Sequence, residues 1–290
     1  MHISLYTILY TISGRDVKKN DYVWMYLTWL WSLIRNRVLT REDRLIVFID
    51  TETMTFMKSL FLHNALIGII GFKMDYCLIN QPTTLLEGFF NKHITNNTSF
   101  IWSSTETELS DTLFFYCDVD NILRVPIRSY LKSLTPNTIY VQVEGPLTDY
   151  TYLGGYVASE NNKDILESIK CQINQNIPGF TAGMFAYCFS DATEMSNFFK
   201  TLNEDSGRQT GMEKYFEQNS FNFSIYFSKL KNNSLNIDMN TFRVGEVVSV
   251  NNIQADTPII SFMGDAGNET LHMEKFLGYL LLGRTITSPH

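Results

Sequence analysis

Hydrophobic residues follow two rhythms along the first 125 or so positions. Ile3–Ile12 is apolar and β-branched and stops at Ser13-Gly14, the pattern of a strand closed by a turn. Asp21–Arg37 is long and aromatic-rich with basic residues in its last turn, which predicts a helix. Leu45–Ile49 is a short apolar run closed by Asp50, Thr53–Leu66 reads as a helix, and Asp75–Ile79 as a strand. Leu113–Cys117 is a further strand, closed by Asp118-Val119-Asp120. Short, continuously apolar strands between helices imply a mainly parallel sheet buried on both faces.

Beyond this point the rhythm loosens. Thr138–Glu144 alternates like a strand with one wet face, Asp164–Ile173 reads as a helix, Gly183–Phe189 as a strand and Thr193–Leu202 as an amphipathic helix. Phe221–Phe227, Phe242–Val250 and Pro258–Met263 read as strands, and His272–Leu282 as a closing helix. No repeat, proline-rich linker or low-complexity segment interrupts the chain. The expectation is one α/β domain over residues 1–290, doubly wound in its first half (1–125) and antiparallel and irregular in its second (126–290).

Composition narrows this reading. In 290 residues, 44% hydrophobic and 14% aromatic content excludes disorder. The net charge of −7, with no block of like charge, gives a nucleic-acid backbone no basic track to follow. Cys77, Cys117, Cys171 and Cys188 show no C-x-x-C spacing and read as buried, reduced thiols. Tyr22–Ile34, the longest strongly apolar run, is about 13 residues, short of the ~20 that span a bilayer. The start of the chain has no basic region before an apolar one, so the chain reads as soluble and cytoplasmic. The N-x-S/T triplets at Asn96 and Asn268 then carry no weight. Trp24, Trp29 and Trp31 crowd one predicted helix; burial is the ordinary reading, and a homodimer or membrane-surface contact is the alternative.

The chemistry concentrates in Leu113–Leu123. Asp118 and Asp120 stand at i and i+2 where an apolar strand runs out, and on an extended backbone they share one face at about 6.5–7 Å. Ligands in open α/β sheets bind outside the carboxyl ends of strands. Two carboxylates there suit Mn²⁺ or Mg²⁺ shared with substrate phosphates. The plain alternative is an Asx-turn, with Asp120 or Asn121 capping a following helix.

Four segments together resemble the metal-dependent GT-A-fold glycosyltransferases, most closely glycosyltransferase family 8. Phe115-Tyr-Cys-Asp118-Val119-Asp120-Asn-Ile is similar to that group's aspartate-any-aspartate motif. Gly179-Phe-Thr181-Ala182-Gly183 is similar to the segment lining its donor sugar, with Thr181 where Asn is usual. Glu217-Gln218-Asn-Ser-Phe-Asn222 resembles its Asp-Gln-x-x-x-Asn stretch, and Ile260-Ser261-Phe-Met-Gly264 its His-Phe-x-Gly element, with Ser261 in place of the metal-ligand His. The order and spacing also fit, and with the opening strand–helix units the resemblance covers nearly the whole chain.

The resemblance implies transfer of a sugar from a nucleoside diphosphate, most often UDP, to a hydroxyl acceptor with retention of configuration. It implies Asp118 and Asp120 as metal ligands and Asp118 also at the ribose; Asp265, His272 or water would fill the place of the missing His. It places Tyr6, Thr7 and Tyr10 around the uracil ring, Asp118, Val119 and Gly264 beside the nucleotide, Thr181, Ala182 and Gly183 along the sugar, and Glu217 and Gln218 near the reacting face. Asp50 either touches the nucleotide or caps the helix after it. Gly154-Gly155 is either a close approach to ligand or a turn. The loop holding Gly264 and Gly267 offers backbone N–H groups to a diphosphate. His2, His63, His93 and His290 read as structural. Two other classes stay open: a catalytically silent nucleotide-sugar-binding module, and a haloacid-dehalogenase-type phosphatase, whose first motif Phe114–Ile122 also resembles, although that motif normally opens the domain.

Overall fold

In the computed structural model, the described residues are 2–85, 87–88, 112–129, 138–158, 160–174, 176–188, 216–227, 231–235, 239–243 and 257–263, with single positions 131, 135, 237 and 273. In chain order the elements are β1 (His2–Leu9), α1 (Asp21–Arg35), β2 (Arg44–Asp50), α2 (Thr51–Ser59), α3 (Phe61–Ile67), β3 (Lys73–Ile79), β4 (Thr112–Cys117) and β5 (Asn121–Leu123). There follow β6 (Thr138–Pro146), α4 (Lys163–Gln172), β7 (Pro178–Cys188), α5 (Phe216–Phe227), β8 (Lys231–Ser234), β9 (Met239–Arg243) and β10 (Ile259–Met263).

The described strands form a seven-stranded sheet in the order β3-β2-β1-β4-β7-β6-β8 and a three-stranded sheet in the order β5-β10-β9. From β3 to β4 the pairing is parallel, while β7 runs antiparallel to both β4 and β6. The regular first half therefore matches its sequence pattern. The second half is mixed rather than antiparallel throughout, because β8 runs parallel to β6 and β9 parallel to β10.

Strand alternation sorts the core into two layers. On β4, Leu113, Phe115 and Cys117 join a layer that α1 covers with Tyr26, Trp29 and Leu30. Phe114 and Tyr116 face the other layer, where Phe221, Phe223 and Ile225 of α5 pack. Helix α1 is thus a core helix: Trp29 is fully buried, and Trp24 and Trp31 pack half-buried against the same layer. Among the described residues, no helix is long and apolar enough to cross a membrane.

Several sequence expectations are corrected. Phe221–Phe227 is not a strand but the second half of α5: Phe221, Phe223 and Ile225 alternate with Asn222 and Ser224 at the period of a strand, but all five are buried in the helix. Thr53–Leu66 is two helices, parted where Leu60 turns extended. The strand expected over Phe242–Val250 is found at Met239–Arg243, and residues 244–250 lie outside the described residues, as do the helix expected at Thr193–Leu202 and, apart from Met273, the one expected at His272–Leu282. Cys117 and Cys188 are buried thiols, but Cys77 is half-buried and Cys171 is exposed on α4; all four are free.

Two buried carboxylates fasten the parallel half. Asp43 accepts from the N–H of Ile3 (3.1 Å), the N–H and hydroxyl of Thr40 (both 2.8 Å) and the Arg128 guanidinium (2.5 Å). Asp50, fully buried, caps α2 through the N–H groups of Glu52 (2.9 Å) and Thr53 (3.0 Å). Its second oxygen accepts from the Thr11 N–H (2.9 Å) and the Thr53 hydroxyl (2.6 Å). Of its two sequence readings the cap is the one observed, and it also holds the chain leaving β1. Asp50→Ala is expected to cost about 3 kcal/mol through a lost cap and orphaned donors, read as a fall in ΔG of urea unfolding.

His63 is structural: buried on α3, its Nε2 lies 2.7 Å from the Tyr76 hydroxyl and its Nδ1 3.3 Å from Asn64 Oδ1. Burial pulls its pKa below the ordinary value and the Lys58 charge adds to this, against the Asn64 hydrogen bond. The unfolded chain therefore takes up this proton at a higher pH than the native one, so stability is complete above about pH 6.5 and declines as pH falls below it. Comparing urea unfolding at pH 7.5 and 5.5, the difference is expected to be smaller for His63→Gln than for the wild type.

Candidate functional site

The parallel pairing of β1 and β4 sets Tyr6 beside Tyr116, so the residues after both strands emerge at one sheet edge. These are Tyr10 and the turn Asp118–Asp120. The two aspartates are not on extended backbone, as the sequence reading assumed; they sit in a tight turn that leads into β5 rather than into a helix.

That turn is fixed from three sides. The Asp118 N–H donates to the Gly183 carbonyl on β7 (2.9 Å). The Asp118 carbonyl accepts from the Asn121 N–H (3.3 Å) and side-chain amide (3.2 Å). The Asp120 carbonyl accepts from the Phe262 N–H on β10 (3.0 Å), and Asn121 donates to the Asp120 carboxylate (2.6 Å). Ser261, the counterpart of the expected His, pairs with Asn121 across β10 and β5 and is buried next to the turn. Gly264, Asp265, Gly267 and His272 lie outside the described residues.

A cavity of about 100 Å³ opens here, walled by Tyr10, Tyr116, Asp118, Val119, Asp120 and Glu217. Ile8 and Leu9 of β1, Tyr22 of α1 and Gly88 complete it. A wider cavity of about 460 Å³ adjoins it, with Tyr10 and Tyr22 lining both. Arg15 and Lys19 bring positive charge to the wider one, where Asp16 and Asp21 also lie. Burial pushes the Tyr10 phenol far above its usual pKa; Tyr22 and Asp118 push the same way and Arg15 opposes them. Tyr116 is likewise raised, first by burial and then by Asp118, so both phenols stay protonated.

The structure thus brings together Tyr10, Asp118, Val119, Asp120 and Glu217 of the residues singled out in the sequence. Of the others, the described ones do not line this cavity. Tyr6 and Thr7 are fully buried in the sheet, where Tyr6 is edge-on to Phe48, Tyr116 and Phe185, so neither flanks a ring in the cavity. Thr181, Ala182 and Gly183 lie on β7 behind the aspartate turn: Thr181 Oγ1 accepts from the Gly183 N–H (3.2 Å). Gln218 links the Ala182 N–H (3.5 Å) to the Thr151 carbonyl (3.4 Å), and Asn222 clamps both backbone groups of Phe180 (2.8 Å each). Gly154 is a packing glycine, since a Cβ there would lie 2.0 Å from the Thr148 carbonyl oxygen.

Asp118 and Asp120 fit a hard divalent cation whose shell is completed by phosphate and water. Among the described residues no group of three His, Cys, Asp or Glu side chains is placed to hold a metal unaided. Sequence reasoning missed Tyr22, Gly88 and Tyr116. Tyr116 looks like any strand aromatic, and Gly88 stands far along the chain from Tyr10, whose ring it meets.

No protein-family model matches the sequence, and no curated protein is significantly similar to it. In fold the chain is similar to the bifunctional glycosyltransferase WbbM in its apo form, with TM-score 0.54 and 9% identity over 93% of this chain and 49% of that one. It is also similar to apo mouse xyloside xylosyltransferase 1, with TM-score 0.50 and 10% identity over 90% of this chain and 97% of that one. The chain spans about half the length of WbbM. These likenesses show a GT-A type α/β fold, a mainly parallel sheet flanked by helices, which both glycosyltransferases share.

A Cβ on Gly88 would stand 2.4 Å from the Tyr10 ring, nearer than any side chain tolerates. Gly88→Ala is therefore expected to destabilise by about 1–3 kcal/mol through overpacking. In the Tyr10→Ala background the same substitution is expected to cost little more than Tyr10→Ala does alone, as read by chemical denaturation of the wild type, both single variants and the double variant.

Proposed function

We propose that the protein is a metal-dependent glycosyltransferase that passes a sugar from a UDP-sugar to a hydroxyl group of a glycan, protein or small-molecule acceptor, with retention of anomeric configuration. The observation that carries this reading is the joint presence of Asp118 and Asp120 in one cavity at the carboxyl ends of β1 and β4, on a GT-A type sheet.

Asp118 and Asp120 would hold Mn²⁺ or Mg²⁺ together with the donor diphosphate. When bound, such an ion neutralises the charge that develops on the departing diphosphate. The smaller cavity suits a metal and phosphate groups rather than a whole donor. The wider one, formed by residues 10–22 and Leu85, suits the nucleoside, with Tyr10 and Tyr22 where the two meet. Residues 1–125 then serve the nucleotide, and residues 126–290 the sugar and acceptor. Glu217 reaches the cavity from that second half and is positioned for the reacting face, whereas Gln218 keeps α5 attached to β7. Asp265 and Gly264 retain their proposed roles as third ligand and diphosphate contact.

The test is a thermal-shift panel of UDP-, GDP-, CMP- and TDP-linked sugars, each with Mn²⁺ and with chelator. A ligand at 100 times its Kd adds about 2.7 kcal/mol to the native state, a readable shift. UDP-sugars with Mn²⁺ are expected to give the largest rise, and Asp120→Asn to lose its metal-dependent part along with UDP-sugar hydrolysis. Wild-type hydrolysis by that variant overturns the site. Binding without hydrolysis or transfer turns the reading to a silent module, and hydrolysis of simple phosphate esters without UDP-sugar turnover turns it to a phosphatase.

A further inference from the structure

Asp118 sits on a turn with a rigid backbone, yet a carboxylate on such a turn can still rotate about its side-chain bonds. Two neighbours remove that freedom. The Tyr116 hydroxyl donates a short hydrogen bond to Asp118 Oδ1. Oδ2 is set against Gly183, where a Cβ would stand 2.9 Å from it. Tyr116 can do this because it is the last residue but one of β4, faces the layer that α5 covers, and stands next to the turn that carries Asp118. The Tyr116 ring is itself immobile: it is fully buried, stacks on Phe185 with centroids 5.1 Å apart, and meets the Tyr6 ring at 5.2 Å. Its phenol also lines the cavity that holds both aspartates.

From this geometry we infer that Tyr116 is a positioning residue: it locks the Asp118 carboxylate in the orientation in which that group meets a metal-bound nucleoside diphosphate. The inference rests on the donor-site reading of Asp118 given above. A buried phenol hydrogen-bonded to a carboxylate is a fixed donor of a strong, charge-assisted kind, so the orientation is set before ligand arrives and no ordering cost falls on binding. A purely structural phenol would instead contribute stability and leave ligand binding alone.

Tyr116→Phe keeps the ring and deletes only the hydroxyl. Tyr187→Phe is the control, a fully buried tyrosine of the same aromatic layer, 5.3 Å from Phe114 by ring centroid. The measurements are Mn²⁺ affinity in the presence of UDP, thermal stability, and crystal structures of both variants without ligand. The expected result is a loss of tenfold or more in affinity, about 1.4 kcal/mol, for Tyr116→Phe alone, with the Asp118 carboxylate rotated from its wild-type orientation in that structure. An unmoved Asp118 carboxylate in Tyr116→Phe overturns the inference whatever the binding data show. So does an equal loss of affinity in both variants. Should wild-type protein fail to bind UDP with Mn²⁺, the donor-site reading falls, and with it the role assigned to Tyr116.

Discussion

The site depends on a change of strand direction at β4. On one side β4 bonds to β1 in parallel, and on the other to β7 antiparallel. A strand with parallel neighbours on both sides would end in a loop with no backbone partner beyond the sheet. Here β7 runs back past the end of β4, so the Gly183 carbonyl is in place to accept the Asp118 N–H. The turn is then closed from below by β10 through Phe262. Ligand sites in open α/β sheets lie where strand order diverges, and this chain adds a hydrogen-bonded floor beneath the point of divergence.

The aromatic layer under the turn serves the same end. Tyr6, Tyr116, Phe185 and Tyr187 form a packed column in the sheet, with Phe221 of α5 tilted against Phe185 at 5.0 Å. Dense aromatic packing transmits position with little give. The family resemblance directed attention to Tyr6 as a ligand contact, whereas its structural part is to steady the residue that touches Asp118.

Much of the frame was legible in advance because period and punctuation are local. The apolar runs of β1, β2, β3 and β4, the basic end of α1 and the turn after β4 all declare themselves within a dozen residues. Asp50 is instructive: its position before a helix suggested a cap, but its hold on Thr11, 39 residues away, has no sequence signal. Helix α5 reads as a strand because Phe221, Phe223 and Ile225 alternate with the polar Asn222 and Ser224, and burial of all five on a helix has no local signal. The cavity walls were harder still: Tyr22 arrives from α1 and Gly88 from beyond β3, and only tertiary packing sets them against Tyr10 and Asp118. Carboxylates can be recognised by their chemistry, whereas the residues that shape space around them cannot.

Gly183 illustrates what such shaping means for sequence divergence. Its missing side chain leaves room for the Asp118 carboxylate, since a Cβ there would stand 2.9 Å from Oδ2 and could be fitted only by moving that group. Among distant descendants of this chain, a side chain appearing at 183 would be a more dependable sign of an abandoned site than a change at Ser261. A lineage can exchange one oxygen ligand for another and leave the turn intact, but a methyl group at 183 displaces the carboxylate itself.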